Sequence, residues 1–307
     1  MDDEVYSSQL ISREALRSLS RRSDGPGLLH LGLHLALILA LLALAISLRG
    51  SLWQIPALWA EGVALVFLFA PLHETIHRTA FRQRWLNEAV AWLCGAVLML
   101  PPEYFRCFHF AHHRHTQDPA RDPELASPKP RTLPGWLWYL SGLPYWIAEL
   151  KVTLRQALGR ADEAFIPARS KPRVVAEARI LWTVYLALAV GSVAFRSEAL
   201  LLYGVAPLLL GQPALRAYLM AEHTGCAFGP DMLANSRTTR TNALVRFLAW
   251  NMPYHAEHHG WPAVPFHALP ALHRLAAQGL RCRGDGYAAV VRNILSSPDQ
   301  APPPVAA

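Results

Sequence analysis

Charge is scarce in this sequence. Asp, Glu, Lys and Arg together make up 17% of the 307 residues, against 52% apolar residues, and the mean hydropathy is positive. A water-soluble chain of this length carries about a quarter charged residues, so lipid replaces water over much of this surface. Cysteine is scarce too. Cys94, Cys107, Cys226 and Cys282 include no CxxC pair and no regular spacing, which predicts neither a disulfide framework nor a zinc ribbon. The acidic start Met1-Asp2-Asp3-Glu4 lacks the basic region and small-residue site of a signal peptide. There is no His-Pro-Gly-Gly motif of a fused cytochrome b5, no flavin fingerprint and no ferredoxin cysteine set. The net charge is +7, but the basic residues flank apolar spans and form no stripe interleaved with aromatics. That pattern suits anionic headgroups and excludes a nucleic-acid partner.

Apolar runs are plentiful. Crossing a bilayer takes about 20 apolar residues in helix, and four stretches approach that: 28–48, 52–72, 180–195 and 199–220. The turns Arg49-Gly50-Ser51 and Arg196-Ser197-Glu198 are short, so each pair reads as a transmembrane hairpin. Arg216 falls near the inner end of the fourth stretch, where it can snorkel to the interface. The segments 89–102, stopped by Pro101-Pro102, and 134–150, carrying Pro144 and several aromatics, read as interfacial or re-entrant. Trp136, Trp138, Tyr139, Tyr145 and Trp146 are expected to form an interfacial belt. With four spans, Arg49 and Arg196 lie outside. All other Lys and Arg residues of the 29 fall on the starting side or, for Arg216, close to it. The positive-inside rule then makes that side cytoplasmic, with both termini. The expected fold is an all-α integral membrane protein: four helices in two hairpins under a cytoplasmic helical cap. Its expected parts are a cytoplasmic segment (1–27), a membrane domain (28–295) and a disordered tail (296–307), in the inner membrane if the source is bacterial.

The fourteen histidines are unevenly distributed. His73 and His77 follow the second span as HxxxH; His109, His112 and His113 form HxxHH; His255, His258 and His259 form another. His223 stands just past the fourth span. On a helix, residues three and four apart share a face, roughly 5–6 Å apart at Cβ, so His73 and His77 reach one metal. Adjacent residues diverge by about 100°, so the two imidazoles of each HH pair can serve neighbouring ions. Nine candidate ligands exceed what one ion needs, since zinc is satisfied by four. Two metals follow, and imidazole suits iron, copper or zinc alike.

The three boxes beside two hairpins resemble the membrane fatty acid desaturase and hydroxylase superfamily. Asn251-Met-Pro-Tyr-His255-Ala-Glu-His258-His259-Gly-Trp-Pro262-Ala-Val264-Pro265 is similar to the third box of its desaturase and carotenoid-ketolase members. Glu222-His223-Thr224-Gly225 resembles the Glu-His-x-Gly segment of the related alkane monooxygenases. The resemblance covers roughly residues 28–275. It implies a non-haem di-iron centre activating dioxygen, held by His73, His77, His109, His112, His113, His223, His255, His258 and His259. The implied reaction is desaturation of a lipid acyl chain, with hydroxylation or ketolation of a hydrophobic substrate as the alternative. Some acyl-CoA desaturases place a water-bridging Asn four residues before the lone ligand; Leu219 stands there, which leaves Asn251 as the candidate. Glu74, Asp118 and Asp122 are candidates to orient imidazoles from behind. A separate electron donor of ferredoxin or cytochrome type, with its reductase, is implied. Arg237, Arg240, Arg246, Arg281 and Arg283 offer a basic face for it.

Rival readings remain. His73-Glu74-Thr-Ile-His77 also matches the HExxH of zinc metalloproteases, with Glu74 as general base of an intramembrane protease, though that leaves both HxxHH boxes unexplained. A metal carrier or sensor would use the same ligands without catalysis. His30, His34, His115, His267 and His273 read as packing, interfacial or outer residues. The Asp-Pro pairs at 118–119 and 122–123 also suit loop capping.

Overall fold

The computed structural model describes residues 10–127 and 129–297, so most of the expected tail lies outside the described residues. The chain is mostly helical, and three helices are long and apolar enough to cross a membrane. The first is α2 (Gly25–Ser47), after a short amphipathic α1 (Arg13–Leu19). The second, Gln54–His77, is built from α3 (Gln54–Val66) and α4 (Phe69–His77). Pro71 explains the break: its ring cannot donate to the carbonyl of Phe67 and clashes with it. The third is α9 (Lys171–Ala194).

These three are not equivalent. Only 22% of α2 and of α9 is buried, against 61% of the second helix. Leu29, Leu39, Leu186 and Val193 stand outward on the peripheral helices. Apolar side chains displayed this way around a helix are stable in lipid, not in water. The fourth expected span corresponds to a π-helical turn (Leu201–Val205) running into α10 (Ala206–His223). Gln212, Pro213 and Arg216 lower its apolar character.

Helix α10 reaches the centre because two glycines let it. A Cβ on Gly62 of α3 would come within 1.9 Å of the Pro207 carbonyl, and one on Gly211 within 2.1 Å of Gly62. Backbone lies on backbone at this crossing, the close approach small residues permit between membrane helices. It brings the end of α10, with His223, beside the end of α4.

Between the hairpins run α5 (Arg84–Leu98) and α6 (Pro102–His115), then α7 (Leu133–Leu140) and α8 (Leu143–Ala157). Both are shorter than a span, in keeping with the interfacial reading. The break within 134–150 falls at Gly142, not at Pro144. Gly142 has φ +74°, and a Cβ there would strike Gln212, whereas Pro144 sits in the first turn of α8, where its missing N–H costs nothing. The aromatic belt is only partly realised: Trp138 is exposed, Trp136 is fully buried, and Tyr139 and Tyr145 face a cavity.

After α10 come α11 (Met232–Asn235), β1 (Thr238–Arg240), α12 (Ala243–Leu248), α13 (His255–Gly260), α14 (Leu269–Ala276), β2 (Arg283–Asp285) and α15 (Tyr287–Ser296). Strands β1 and β2 pair in parallel, Thr238 opposite Arg283. This sheet brings Cys226 and Cys282 together as a disulfide, Cα atoms 6.0 Å apart, contrary to the expectation from their spacing. Separated by 56 residues, they meet only through tertiary structure.

Candidate metal centre

Each histidine box sits on a helix end that other residues hold in place. Helix α4 stops at Arg78, which adopts the left-handed conformation, and Arg106 donates from Nε to the Ile76 carbonyl at 3.2 Å. The α6 N-terminus is held where the Glu103 amide donates to Glu177 Oε2 of α9 at 2.7 Å. Arg78, Arg106 and Arg173 share Glu88 and tie these helices together. Helix α13 is anchored by Glu257, fully buried, which accepts from Thr238 and pairs with His273.

All nine expected imidazoles converge. Possible ligand atoms of His73, His77, His109, His113 and His258 lie within 4.8 Å of one another, and those of His112, His223 and His259 form a second such group. His255 joins the second, its Nε2 2.9 Å from Nε2 of His223. The HH pairs split between the groups, as a 100° separation on a helix requires. The groups abut where His113 and His259 stack in parallel, ring centroids 4.1 Å apart.

Hydrogen-bond accounting in the second group assigns the tautomers. His112 Nδ1 donates to Asp122 Oδ1 at 2.9 Å and His223 Nδ1 to the Asn235 carbonyl at 3.1 Å. Thr116 spends its only proton on the His112 carbonyl, so its oxygen accepts from His259 Nδ1 at 3.2 Å. With each proton on the outer nitrogen, the Nε2 lone pair points inward. Nε2 of His112 and of His223 are 3.1 Å apart. While both rings are neutral, two lone pairs at that distance cannot bond to each other; a cation between them, a proton on His112 or a metal ion, resolves the contact. Similarly, His258 and His113 present Nε2 atoms 3.2 Å apart in the first group. Both nitrogens of His73, and Nε2 of His77, His109 and His259, are buried without a protein partner. Orphaned buried nitrogens cost free energy, and this donor set fits imidazole-bound transition metals.

Electrostatics agree. Burial, reinforced by neighbouring imidazoles, holds His109, His113, His255, His258 and His259 well below the ordinary histidine range, which keeps them neutral and able to ligate. Burial also pulls His112 down, but the Asp122 hydrogen bond and the Glu124 and Asp122 charges outweigh it and hold His112 above that range.

The residues expected behind the ligands fall differently. Asp122 touches His112. Asp118 instead pairs with Arg121 and caps a turn. Glu74 accepts from Thr79 at 2.9 Å and from the Phe266 amide at 3.2 Å, tying α4 to the segment after α13. Asn251, at φ 58°, donates to the Phe266 carbonyl at 3.2 Å. None of these three bonds to an imidazole. No motif marks Thr116 or the Asn235 carbonyl as partners. Glu222, next to His223 in the chain, lies 3.4 Å from His255 Nδ1. His30 and His34 donate from Nε2 to the backbone carbonyls of Phe247 and Ala64 at 2.7 and 2.9 Å, apart from the cluster.

Two recesses reach the histidines. One, of 290 Å³, meets His73, His109, His112, His223 and His255 and is partly lined by Phe69, Phe105 and Phe108. The other, of 680 Å³, meets His77 and His113 and is ringed by Arg22, Arg78, Arg106, Arg114, Arg169 and Arg173. The expected basic face is partly realised, with Arg240, Arg281 and Arg283 exposed. Arg237 is buried on the carbonyls of Ala221 and Thr224, Arg246 bonds the Thr241 carbonyl, and Arg240 and Arg281 pair with Asp285 and Asp231.

Known proteins give the same grouping. A beta-carotene ketolase of Haematococcus lacustris is 24% identical over 224 residues, covering 69% of this chain and 60% of its own. A sphingolipid delta(4)-desaturase of Drosophila melanogaster is 27% identical over 235 residues, 74% of this chain and 67% of its own. A delta(12)-acyl-lipid-desaturase of Punica granatum is 31% identical over 114 residues, 36% and 29% of the two chains. The chain thus spans 60% of the length of the ketolase it matches. The sequence model described as "Fatty acid desaturase" matches residues 51–290, most of the chain, and this chain therefore belongs to the fatty acid desaturase family.

Proposed function

We propose that this protein is a membrane oxidoreductase that uses two histidine-held irons and dioxygen to desaturate the acyl chain of a lipid. The observation that carries it is the convergence of nine imidazoles in two groups, seven of them buried, five of which line a cavity partly walled by aromatic side chains. The first iron would be held by His73, His77, His109, His113 and His258, and the second by His112, His223, His255 and His259. Bound there, the irons supply the redox chemistry that takes hydrogen from an unactivated carbon. The protein's own residues do the rest. Asp122, Thr116 and the Asn235 carbonyl fix imidazole orientation, Glu222 faces His255, and the aromatic wall excludes water from the reacting chain.

Hydroxylation or ketolation is the second reading, and the relatives' names support it, since they include ketolases and a desaturase/C4-monooxygenase. Lipid mass spectrometry after expression in a host lacking the activity separates the two. Loss of two hydrogens supports desaturation, gain of an oxygen supports hydroxylation, and an unchanged lipid pool contradicts both. The zinc protease reading is disfavoured because Glu74 is engaged by Thr79 and Phe266.

We further read residues 201–223 as a fourth span, with both termini and the histidines on the cytoplasmic side. The two hairpin turns lie at one end of the molecule, where Arg49 and Glu198 approach to 3.9 Å. Labelling of single cysteines introduced at Ser51 and Ser197 by an impermeant reagent from outside tests this sidedness. Electrons would come from a separate ferredoxin- or cytochrome-type protein, and the arginine-ringed recess reaching His77 and His113 suits an acidic one. Charge reversal at Arg114 and Arg169 should slow donor-driven turnover and weaken its salt dependence.

A further inference from the structure

The cavity beside the histidines is not the plain apolar slot that a hydrocarbon chain alone would select. Opposite its phenylalanines stand Tyr145, Glu149, Arg216 and the Lys129–Glu124 ion pair, which is closed at 2.7 Å. Tyr145 and Glu149 are four residues apart on α8 and so share a face. The Tyr145 hydroxyl donates to the Leu98 carbonyl at 2.8 Å, which fixes the ring. The Arg216 guanidinium lies over that ring, 4.5 Å from its centroid. Arg216 therefore points into the cavity and does not snorkel to the interface. Arg216 Nε and Glu149 Oε2 are both buried without a hydrogen-bond partner.

Buried donors and acceptors left unpaired by the protein cost free energy unless something else pairs them. Here an ordered donor and an ordered carboxyl face one small space. At 290 Å³ the cavity is at the lower end of ligand sites, and Arg216 and His223 on its wall are two turns apart on α10, about 10 Å along the axis. A group touching Arg216 is then closer to the histidines than the middle of a long acyl chain would be to its own head.

The charges on the wall choose the kind of group. Two cations, Lys129 and Arg216, stand among three carboxyls, Glu124, Glu149 and Glu222. A carboxylate or phosphate head on Arg216 would lie among the carboxyls of Glu149 and Glu222, and a cationic head meets Arg216. An uncharged group that both donates and accepts, an amide or a hydroxyl, satisfies both orphaned atoms.

We propose that Arg216 and Glu149 bind an uncharged amide or hydroxyl head of the substrate, so that oxidation falls a few carbons from the polar end of an amphiphile and not in mid-chain. This deepens the preceding reading and rests on the histidine site being the oxidising centre.

The test is equilibrium binding to the purified full chain in detergent, which needs no turnover. The probes are hexadecane, hexadecanol, hexadecanamide and palmitate. Hydrogen bonds to charged groups predict that hexadecanol and hexadecanamide bind about tenfold or more tighter than hexadecane, and tighter than palmitate. Arg216→Met and Glu149→Gln should each erode that preference. Equal binding of hexadecane, tightest binding of palmitate, or an undiminished preference in both variants would overturn the proposal. The wild-type series stands even if a variant fails to fold. Absence of oxygen uptake with every probe, despite the predicted binding order, would instead count against the oxidising-centre reading.

Discussion

The two histidine groups are built differently. In the second, three imidazoles have their outer nitrogen bonded to protein: to Asp122, to the Asn235 carbonyl and to Thr116. In the first, both nitrogens of His73 and Nδ1 of His258 lack any hydrogen-bond partner in the protein, as only Nδ1 of His255 does among the outer nitrogens of the second. The second site is therefore oriented before metal arrives, whereas the first relies on metal to orient its rings. Outer partners raise ligand basicity and fix the tautomer, so the two sites should respond differently to the same kind of damage.

The largest effects should come from removing a ligand to one group at a time. His258→Ala and His259→Ala are adjacent yet serve different groups. Each should abolish turnover and lower bound metal from two ions per chain to one. If either variant kept both ions, the division into two groups would be wrong.

Asp122→Asn should come next. It leaves the His112 imidazole in place but weakens its partner, and should cost the second site about 10–100-fold in metal affinity with the first unchanged. Metal titration with two resolved binding steps reads this directly.

Acid should separate the sites as well. His112 is held above its ordinary 6.5 in the metal-free protein. Its pairing with Asp122 thus stabilises that state fully below pH 6.5 and is lost as pH rises through the raised value. Metal must displace this proton, so binding at the second site should weaken as pH falls toward 6.5. The first site, with His109, His113 and His258 held well below that value, should keep its ion at lower pH. Loss of both ions together would contradict the comparison.

Smaller effects should follow at the margins. Glu222→Gln, 3.4 Å from His255, should weaken the second site by less than about tenfold. Asn251→Ala should leave metal content unchanged, because its amide serves the Phe266 carbonyl.

The contrast between the groups also marks what the sequence could reveal. Helical spacing put His73 with His77 and split His112 from His113, because local geometry alone decides which ring shares a face. The hairpin helices were legible for a similar reason, since lipid demands long uncharged runs. The outer partners were not. Thr116 and Asn235 reach the site only through how α6 and the α10–β1 segment pack. Glu74 looked suitable beside two histidines, yet its carboxylate faces Thr79 and the backbone after α13. Arg216 read as a snorkelling residue because nothing local announces that Tyr145, seventy-one residues earlier, will lie beneath it. Arg237 read as a docking charge for the same reason, although the turn after α10 uses it to gather carbonyls.

The central claim is that two irons occupy these nine histidines. Its most direct test is metal analysis of the full chain purified from membranes, combined with Mössbauer spectroscopy after growth on enriched iron. The account predicts two irons per chain, coupled when oxidised. A single zinc per chain, retained with iron in excess, would contradict it.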